Sequence, residues 1–312
     1  MNESVAILIP CFNEEMTITR VVEDFRRELP EAKIYVYDNN STDQTVQHAM
    51  ACGAEVKYES KQGKGNVVRA MFRDISADAY VMVDGDATYP ADKVHSLLQP
   101  ILDGKADMTI GTRLEQYEQE SFRLFHKLGN DLICKIINIL FETKLRDILS
   151  GYRCFNSRFA KSVPILSKGF EVETELTLQA LDKDFTLMEI PIDYHKRPEG
   201  SHSKLDTYHD GMLVLKTILL IFKDYKPLRF FSFVGLMALL SGIGLGTIPI
   251  SDFIHTGKVT HPSTAVLSAG LVLIALLSVA TGFILDTLNR RYREQYLLMS
   301  DHIISLRNKT DS

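Results

Sequence analysis

Two acidic side chains one residue apart, in the motif Asp84-Gly85-Asp86, have the types and spacing of a divalent-cation site. They follow the apolar run 79–83, which predicts a buried strand, so both carboxylates are expected at the edge of a sheet. Mg²⁺ and Mn²⁺ prefer oxygen ligands and are often held by one or two carboxylates together with substrate phosphates. Gly85 would leave room for a ligand to approach the backbone. Asp and Gly are also ordinary turn residues, so the motif alone is a weak signal.

Length and composition restrict the class of protein. A chain of 312 residues can form one large domain with additions, or two domains. A net charge of -5 gives no electrostatic reason to expect a nucleic-acid partner. The four cysteines form no C-x-x-C pair, which argues against a zinc ribbon or a thioredoxin-like motif. Scattered thiols fit a cytoplasmic compartment, and no signal peptide is expected at the N-terminus.

Two long uncharged stretches, 230–251 and 262–285, each suffice to cross a hydrocarbon core of ~30 Å. The link 252–261 carries one lysine, whereas several cations flank the stretches on their other sides. The positive-inside rule therefore predicts that the bulk domain and the C-terminus are cytoplasmic. We expect a multi-pass protein of the inner (plasma) membrane. The flanking cations are Lys223, Lys226, Arg229, Arg290, Arg291 and Arg293.

The chain before these stretches alternates between strand and helix patterns. We predict strands at 5–10, 33–37, 55–58, 79–83 and 108–111, with helices at 15–29, 41–51, 63–74 and 92–102. Such alternation predicts a mostly parallel sheet with helices on both faces. Ligands of these sheets lie at the carboxyl ends of the strands. The polar or glycine-rich segments at those ends are 10–14, Asp38, the loop at Gly63 and 84–86.

Known phosphate-binding signatures are missing from these loops. Neither G-x-G-x-x-G nor G-x-x-x-x-G-K-[ST] occurs after the first strand or at Gly63-Lys64-Gly65. The latter loop could still hold an anion through Lys64 and the backbone N–H groups of a helix N-terminus, and a solvated loop lysine is an equal alternative.

Three later segments leave two interpretations open. Segment 122–141 predicts an amphipathic helix that packs on the sheet or lies on the membrane surface. Glu171, Glu173 and Glu175 open another helix, where the helix dipole alone accounts for most of them. The basic segment 195–204 is either a solvated loop or a clamp for phosphate. The apolar side of the first helix comprises Phe125, Leu128, Leu132, Ile136, Ile139 and Leu140.

The order of these motifs resembles that of membrane-anchored polyprenyl-phosphate glycosyltransferases, relatives of dolichyl-phosphate mannose synthase in glycosyltransferase family 2. The resemblance covers nearly the whole chain, including the paired C-terminal spans. The matching segments are 9–15, 38–43, 63–65, 84–86, 147–153 and 197–204.

The resemblance implies the single-domain GT-A fold, Mg²⁺ or Mn²⁺ as cofactor, and a role for each matching residue. Asp84 and Asp86 would bind the metal, with Asp86 the stronger ligand. Asp84, Asp86, Asp147 and Arg153 would form the catalytic group. The nucleotide-sugar residues would be Pro10, Asn13, Glu14, Asp38, Lys64, Asp84 and Arg113. The phosphate of the acceptor would meet Arg153, Arg197 and Lys204.

The implied reaction moves one hexose, with inversion, from a nucleotide sugar to a polyprenyl phosphate such as undecaprenyl phosphate, for cell-surface glycans. UDP-glucose or UDP-N-acetylglucosamine is the favoured donor, and GDP-mannose is the alternative. The chain has no tryptophan and therefore no Q-x-x-R-W motif of processive synthases, which favours a single transfer. A sugar nucleotidyltransferase and an inactive sugar-binding scaffold are further alternatives.

The expected organisation has four parts. A catalytic domain occupies 1–205, an interfacial helix 206–227, a two-helix transmembrane hairpin 228–288 and a cytoplasmic tail 289–312. Glycines at 235, 242, 244 and 246 would let helices pack closely within the chain or between the protomers of a homo-oligomer.

Overall fold

The computed structural model of the chain describes residues 3–113, 121–169, 171–195 and 219–310. The chain divides into two compact units, 1–214 and 215–312. The predicted boundaries at 205 and 227 remain predictions, and the first of them lies in 196–218, outside the described residues.

A seven-stranded mixed sheet forms the first unit, in the order β3-β2-β1-β4-β6-β5-β7. The neighbours within β3-β2-β1-β4 are parallel, as are β5 and β7, whereas β6 is antiparallel to both β4 and β5. This mostly parallel sheet confirms the predicted α/β class. The strands are β1 Val5–Cys11, β2 Lys33–Asp38, β3 Glu55–Tyr58, β4 Ala79–Met82, β5 Met108–Thr112, β6 Arg153–Asn156 and β7 Leu187–Pro191.

Helices cover both faces of the sheet because successive strand residues point to opposite sides. In β1, Leu8 packs into one apolar layer and Ile9 into the other. The Leu8 layer is covered by α3, α6 and α7, and the Ile9 layer by α1, α2 and α4. The helices are α1 Ile18–Glu28, α2 Thr45–Ala51, α3 Lys64–Asp74, α4 Val94–Leu102, α5 Ser121–Phe141, α6 Ser157–Ser162 and α7 Val172–Asp182.

The strand β6 was not predicted from the sequence. It has four residues and begins with an arginine, so it lacks the alternation of a half-buried strand. Within β6, Cys154 belongs to the Ile9 layer and Phe155 to the Leu8 layer, so the strand is buried on both faces.

The helix α5 confirms the predicted amphipathic segment, but the predicted apolar side is wrong at two positions. Leu132 and Ile139 are 46% and 63% exposed, and the buried side includes Ile133 and Ile137 instead. Two asparagines explain why the buried side differs from the predicted one. Their side-chain amides donate hydrogen bonds to carbonyls of the loop that follows the helix, which turns their side of α5 toward the protein. The donors and acceptors are Asn130 with Arg146 and Asn138 with Leu145.

The second unit contains two helices that are long and apolar enough to cross a membrane, judged by length and composition. They are Pro227–Thr256 and Pro262–Thr310, and residues 219–225 are also helical. The two long helices pack closely where Ser268 donates a hydrogen bond of 2.7 Å to the Gly242 carbonyl. The predicted tail at 289–312 is no separate element up to Thr310, because the second helix continues through it.

Truncation of Phe159 should destabilise the first unit. Its ring is fully buried and lies 5.2 Å from that of Phe155 and 5.1 Å from that of Phe185. Phe159→Ala should lower the free energy of unfolding by roughly 3–5 kcal/mol through lost burial and a cavity. Tyr58→Ala, at a site 63% exposed, is the control. Near-UV circular dichroism during heating measures both variants, and equal midpoints would contradict this packing.

Candidate active site

The loops that follow β1 and β2 are joined by side-chain hydrogen bonds. The Asn13 N–H donates to Ser41 Oγ over 2.9 Å, and Asn13 Oδ1 accepts the Thr42 N–H over 2.8 Å. Asn13 has a φ of 52°, a left-handed conformation that asparagine tolerates better than most residues. Thr45 Oγ1 accepts the N–H of Glu14 over 2.8 Å. These contacts bring the predicted nucleotide residues Asn13 and Glu14 beside the carboxyl end of β2.

Asp38 is the last residue of β2, and Asn39 follows it at the carboxyl end of the sheet. Asp38 is 4% exposed and accepts the N–H of Ser41, while Cys11, one residue after the predicted Pro10, lies opposite Asp38 in the sheet. The Asn39 side chain accepts the Gly63 N–H over 2.7 Å and donates to the Glu59 carbonyl over 2.7 Å. Asn39 thus holds the glycine loop against the end of β2.

The acidic pair lies at the end of β4, as predicted, in a tightly packed turn. The Gly85 carbonyl accepts a hydrogen bond of 2.7 Å from Thr17 Oγ1. A Cβ at Gly85 would lie 2.7 Å from Cys11 Sγ, so any larger residue would require the Cys11 side chain to move. Asp86 is 4% exposed, and its Oδ1 accepts hydrogen bonds from the Thr88 N–H and, over 2.6 Å, from Thr88 Oγ1. The turn that carries both carboxylates is therefore held by Thr17, and the Asp86 carboxylate by Thr88.

Lys64 lies between two carboxylates. Its Nζ donates to Asp84 Oδ1 and to Glu173 Oε1, each over 2.5 Å. Burial opposes a charge on Lys64, but the facing Asp84 and Glu173 raise the pKa of Lys64 above its ordinary value. Burial also raises the pKa of Glu173, against the opposing effect of the Lys64 charge. Lys64 is therefore an ion-paired residue of the site and not a solvated loop lysine.

Glu173 was not singled out from the sequence, because an acidic first turn is expected of any helix. The signal that could have found it is spacing. Glu173 precedes Leu176, Thr177 and Ala180 by three, four and seven residues, which places it on a buried side of α7. Its Oε2 is buried and has no hydrogen-bond partner among the described residues. A buried polar atom without a hydrogen-bond partner lowers the stability of a protein by about 1–3 kcal/mol. Such an atom in a native structure calls for an explanation, and a role in function is one of them.

The glycine loop corrects one expectation, that its backbone amides cradle an anion. The Gly63 N–H donates to Asn39, and the Gly65 N–H donates to the carbonyls of Lys168 and Gly169 over 3.0 Å and 3.2 Å. These two amides are therefore engaged within the protein. Glycine is needed at 65 because a Cβ there would overlap the Ser167 carbonyl. The loop serves close packing against 167–169.

A second charged cluster joins Arg113 and Asp147. Arg113 Nε donates to Asp147 Oδ2 over 2.7 Å and Nη2 donates to Oδ1 over 2.9 Å, a bidentate pair. Burial would raise the pKa of Asp147, but the hydrogen bonds and charge of Arg113 lower it below its ordinary value. The guanidinium also lies 5.5 Å from the centre of the Tyr194 ring. Asp147 is therefore a carboxylate whose two oxygens are directed at Arg113.

Arg153 is fully buried beneath the loop that runs from Asp147 to Gly151. It donates to the carbonyls of Ser150 and Ile148 over 2.8 Å and 2.7 Å, and to Thr177 Oγ1 over 2.9 Å. Burial lowers the pKa of Arg153 to about 10, which leaves it charged at neutral pH. These donors are directed at protein acceptors. The predicted contact of Arg153 with an acceptor phosphate stays a prediction, as do those of Arg197 and Lys204, which lie outside the described residues.

Gly151 brings the two clusters together. Its N–H donates to the Tyr89 hydroxyl over 2.9 Å, and a Cβ at this position would overlap the Asp84 carboxylate. The loop that carries Asp147 therefore packs directly against Asp84, so the groups predicted for donor and acceptor share one edge of the sheet.

The acidic pair suits a divalent cation that also binds a diphosphate. The described residues contain no group of three or more His, Cys, Asp or Glu that could hold a metal by themselves. Two carboxylates on a fixed strand end are nevertheless the usual protein contribution to Mg²⁺ or Mn²⁺ when substrate phosphates complete the shell. Asp84 and Asp86 therefore fit the predicted cofactor.

Residues 6–162 match the model of Glycosyl transferase family 2, and the chain belongs to this family. The glycosyltransferase AglJ of Haloferax volcanii is 32% identical over 294 residues, which cover 94% of this chain and 96% of AglJ. The protein is therefore a glycosyltransferase.

Two further similarities concern the acceptor and the fold. The dolichyl-phosphate hexose transferase of Haloferax volcanii is 25% identical over 217 residues, which cover 70% of this chain and 93% of that protein. The crystal structure of glucosyl-3-phosphoglycerate synthase from Mycobacterium tuberculosis with Mn²⁺, UDP and phosphoglyceric acid has a TM-score of 0.59 at 20% identity. The match covers 71% of this chain and 78% of that chain and confirms the predicted GT-A fold.

A side chain at Gly151 should displace the Asp84 carboxylate. We expect Gly151→Ala to slow glycosyl transfer on the order of 100-fold, because small misplacements of a reacting site have effects of this size. The control is Gly270→Ala, whose Cβ would have no atom within 4 Å. Transfer rates and the thermal unfolding midpoint are measured for both variants. An active Gly151→Ala protein with an unchanged midpoint would contradict the contact.

Proposed function

We propose that this glycosyltransferase moves one hexose from a nucleotide sugar to a polyprenyl phosphate, with inversion at the anomeric carbon. The observation that carries the proposal is the direct packing of the Asp147 loop, through Gly151, against the Asp84 carboxylate. One active site could thereby hold a sugar diphosphate at the acidic pair and a phosphate nucleophile beside Arg113. The hexose-transferring relative named for dolichyl phosphate supports this acceptor class.

The nucleotide would lie along the ends of β1 and β2. Asn13, Glu14 and Asp38 stand at this edge, in contact with the Ser41 to Thr45 loop. Asp84 and Asp86 would hold Mg²⁺ or Mn²⁺. When bound, the metal would neutralise charge that develops on the leaving diphosphate. The Mn²⁺ and UDP in the solved structure of similar fold support both parts of this assignment.

On the acceptor side, the protein would orient the nucleophile more than activate it. A phosphate monoester has a second pKa of about 6 and is largely dianionic at neutral pH, so it needs little help from a base. Asp147 is engaged by both donors of the Arg113 fork. We assign Asp147 to fixing Arg113 over the site and Arg153 to holding the loop that carries Asp147. Arg197 and Lys204 remain proposed phosphate ligands.

The two apolar helices suit a lipid substrate. The phosphate of a polyprenyl phosphate stays at the membrane interface, so a tethered catalytic unit meets it in two dimensions. Basic residues beside the spans would attract this anion. Their distribution supports a cytoplasmic location of the first unit and the C-terminus. Dimers or larger homo-oligomers formed by the spans would be compatible with this chemistry.

The deciding experiment is a donor panel. Purified full-length protein receives undecaprenyl phosphate and UDP-glucose, UDP-N-acetylglucosamine or GDP-mannose, with Mg²⁺ or Mn²⁺ added or withheld. Mass spectrometry of the lipid then identifies the product. We expect a monohexosyl lipid, or its N-acetyl form, from a UDP-sugar. Product from GDP-mannose alone would correct the donor, and no glycolipid with any donor would refute the proposal.

Removal of the Asp86 charge should abolish the metal requirement together with activity. Asp86→Asn preserves shape but removes a ligand of full charge, so we expect transfer to fall at least about 100-fold. Asp103→Asn alters a carboxylate with only surface partners, Gln99 and Lys105, and serves as the control. Initial rates across a Mg²⁺ and Mn²⁺ series give the measurement. Near-normal turnover of Asp86→Asn would remove the metal site from the proposal.

The pH profile of Asp147→Asn separates orientation from base catalysis. Because Arg113 holds the pKa of Asp147 below its ordinary value, Asp147 stays charged from about pH 6 to pH 9. We therefore expect a loss that is the same factor across this range, with both proteins following the second pKa of the acceptor, about 6. A defect that shrinks as the pH rises would identify Asp147 as the base.

A further inference from the structure

Charged side chains of alternating sign form a row at the sheet edge, and they are Asp84, Lys64, Glu173 and Arg153. Asp84, Lys64 and Glu173 are joined by contacts of 2.5 Å. The Glu173 charge also favours the charged form of Arg153, which is otherwise disfavoured by burial. Glu173 is the one member of this row with no role assigned so far.

The two carboxylates that face Lys64 differ in exposure. The Asp84 side chain is 26% exposed, whereas that of Glu173 is 6% exposed. Glu173 lies on α7, with buried residues on both sides of it in the chain. Asp84 is therefore the more accessible of the two carboxylates, and Glu173 is enclosed by the described residues. Lys64 can keep Glu173 as its partner when a ligand competes for Asp84.

We propose that Glu173 is a positioning residue that holds the Lys64 ammonium and so leaves the Asp84 carboxylate available to a divalent cation bound with the donor diphosphate. This inference rests on the proposed function, because it assumes that the acidic pair binds such a cation. Without the Glu173 charge, Asp84 is the one carboxylate among the described residues that still pairs with Lys64. The ammonium then competes with the cation for the same oxygens, and the field at the site becomes more positive.

A second contact shows why α7 is suited to this role. Thr177 follows Glu173 by one helical turn, and its Oγ1 donates to the Glu173 carbonyl over 3.1 Å while it accepts from Arg153 Nη1 over 2.9 Å. One side of α7 therefore supports Lys64 on the donor side and Arg153 beneath the Asp147 loop. A single turn of α7, from Glu173 to Thr177, therefore contacts both Lys64 and Arg153.

The test is Mn²⁺ binding by full-length protein in detergent, in the presence of saturating UDP, measured by electron paramagnetic resonance without any acceptor. Glu173→Gln keeps the shape of the side chain and removes its charge. We expect its Mn²⁺ dissociation constant to rise between about 10-fold and 100-fold, the range typical when a residue that orients a metal ligand is changed. Glu171→Gln, on the same helix terminus, is the matched control and should leave Mn²⁺ binding unchanged.

A double-mutant cycle asks whether the effect passes through Lys64. In a Lys64→Met background, Glu173→Gln should no longer weaken Mn²⁺ binding, because the competing ammonium is absent. An equal weakening in both backgrounds would overturn the inference. So would a Glu173→Gln protein that melts at a lower temperature but binds Mn²⁺ as the parent does, since that result indicates a purely structural role.

The proposed function fails by a different result. A parent protein that forms no glycolipid refutes the transfer reaction, and it does so whatever Glu173→Gln does to Mn²⁺ binding. A parent that forms glycolipid while Glu173→Gln binds Mn²⁺ normally refutes only the role of Glu173.

Discussion

The arrangement of the site depends on one buried ammonium that must stay charged. Removing an ion from water is unfavourable by several kcal/mol, and close carboxylates offset it only when they are well placed. Lys64 meets this requirement with Asp84 and Glu173, which come from the β4 turn and from α7. Three segments far apart in the sequence must therefore reach their final positions together, and the glycines around Lys64 allow that approach.

Arg153 is a second buried cation, and it too needs well-placed hydrogen-bond partners to offset its removal from water. Arg153 is fully buried, and its donors go mainly to backbone carbonyls and a hydroxyl of the protein. A guanidinium suits this use because its five donors have fixed directions. Lys64 thus places a charge beside the acidic pair, and Arg153 holds the backbone of the 148–150 loop. The two cations divide the tasks of electrostatics and scaffolding.

The sequence predicted the features that depend on local pattern. Alternation identified β1 to β5 and the intervening helices, and the uncharged stretches identified both long helices of the second unit. The acidic pair was found because it directly follows an apolar strand. Each of these signals lies within a short window of the chain.

The features that were missed depend on contacts between distant residues. The strand β6 is defined by its neighbours β4 and β5 and has no pattern of its own. Glu173 looked like any acidic residue of a first helical turn until Lys64 was placed beside it. The amides of the glycine loop looked available because their partners, Asn39 and 167–169, are distant in the sequence. The buried side of α5 includes Asn130 and Asn138, whose hydrogen bonds reach carbonyls of the following loop that an apolar pattern does not report.

The reversed direction of β6 has a consequence for how this chain could diversify. Met82 at the end of β4 lies opposite Arg153 at the start of β6. The loop before β6, which carries Asp147, therefore lies at the same edge of the sheet as the loop after β4, which carries Asp84 and Asp86. Residues proposed for the donor occur mainly before position 87, and those proposed for the acceptor occur after position 112. The two proposed groups are thus largely separate along the sequence, and Arg113 and Glu173 are the donor-side residues that follow position 112. Recombination between positions 87 and 112 could exchange acceptor choice while keeping most of the donor half, provided that Gly151 still fits against Asp84 and that Glu173 still pairs with Lys64.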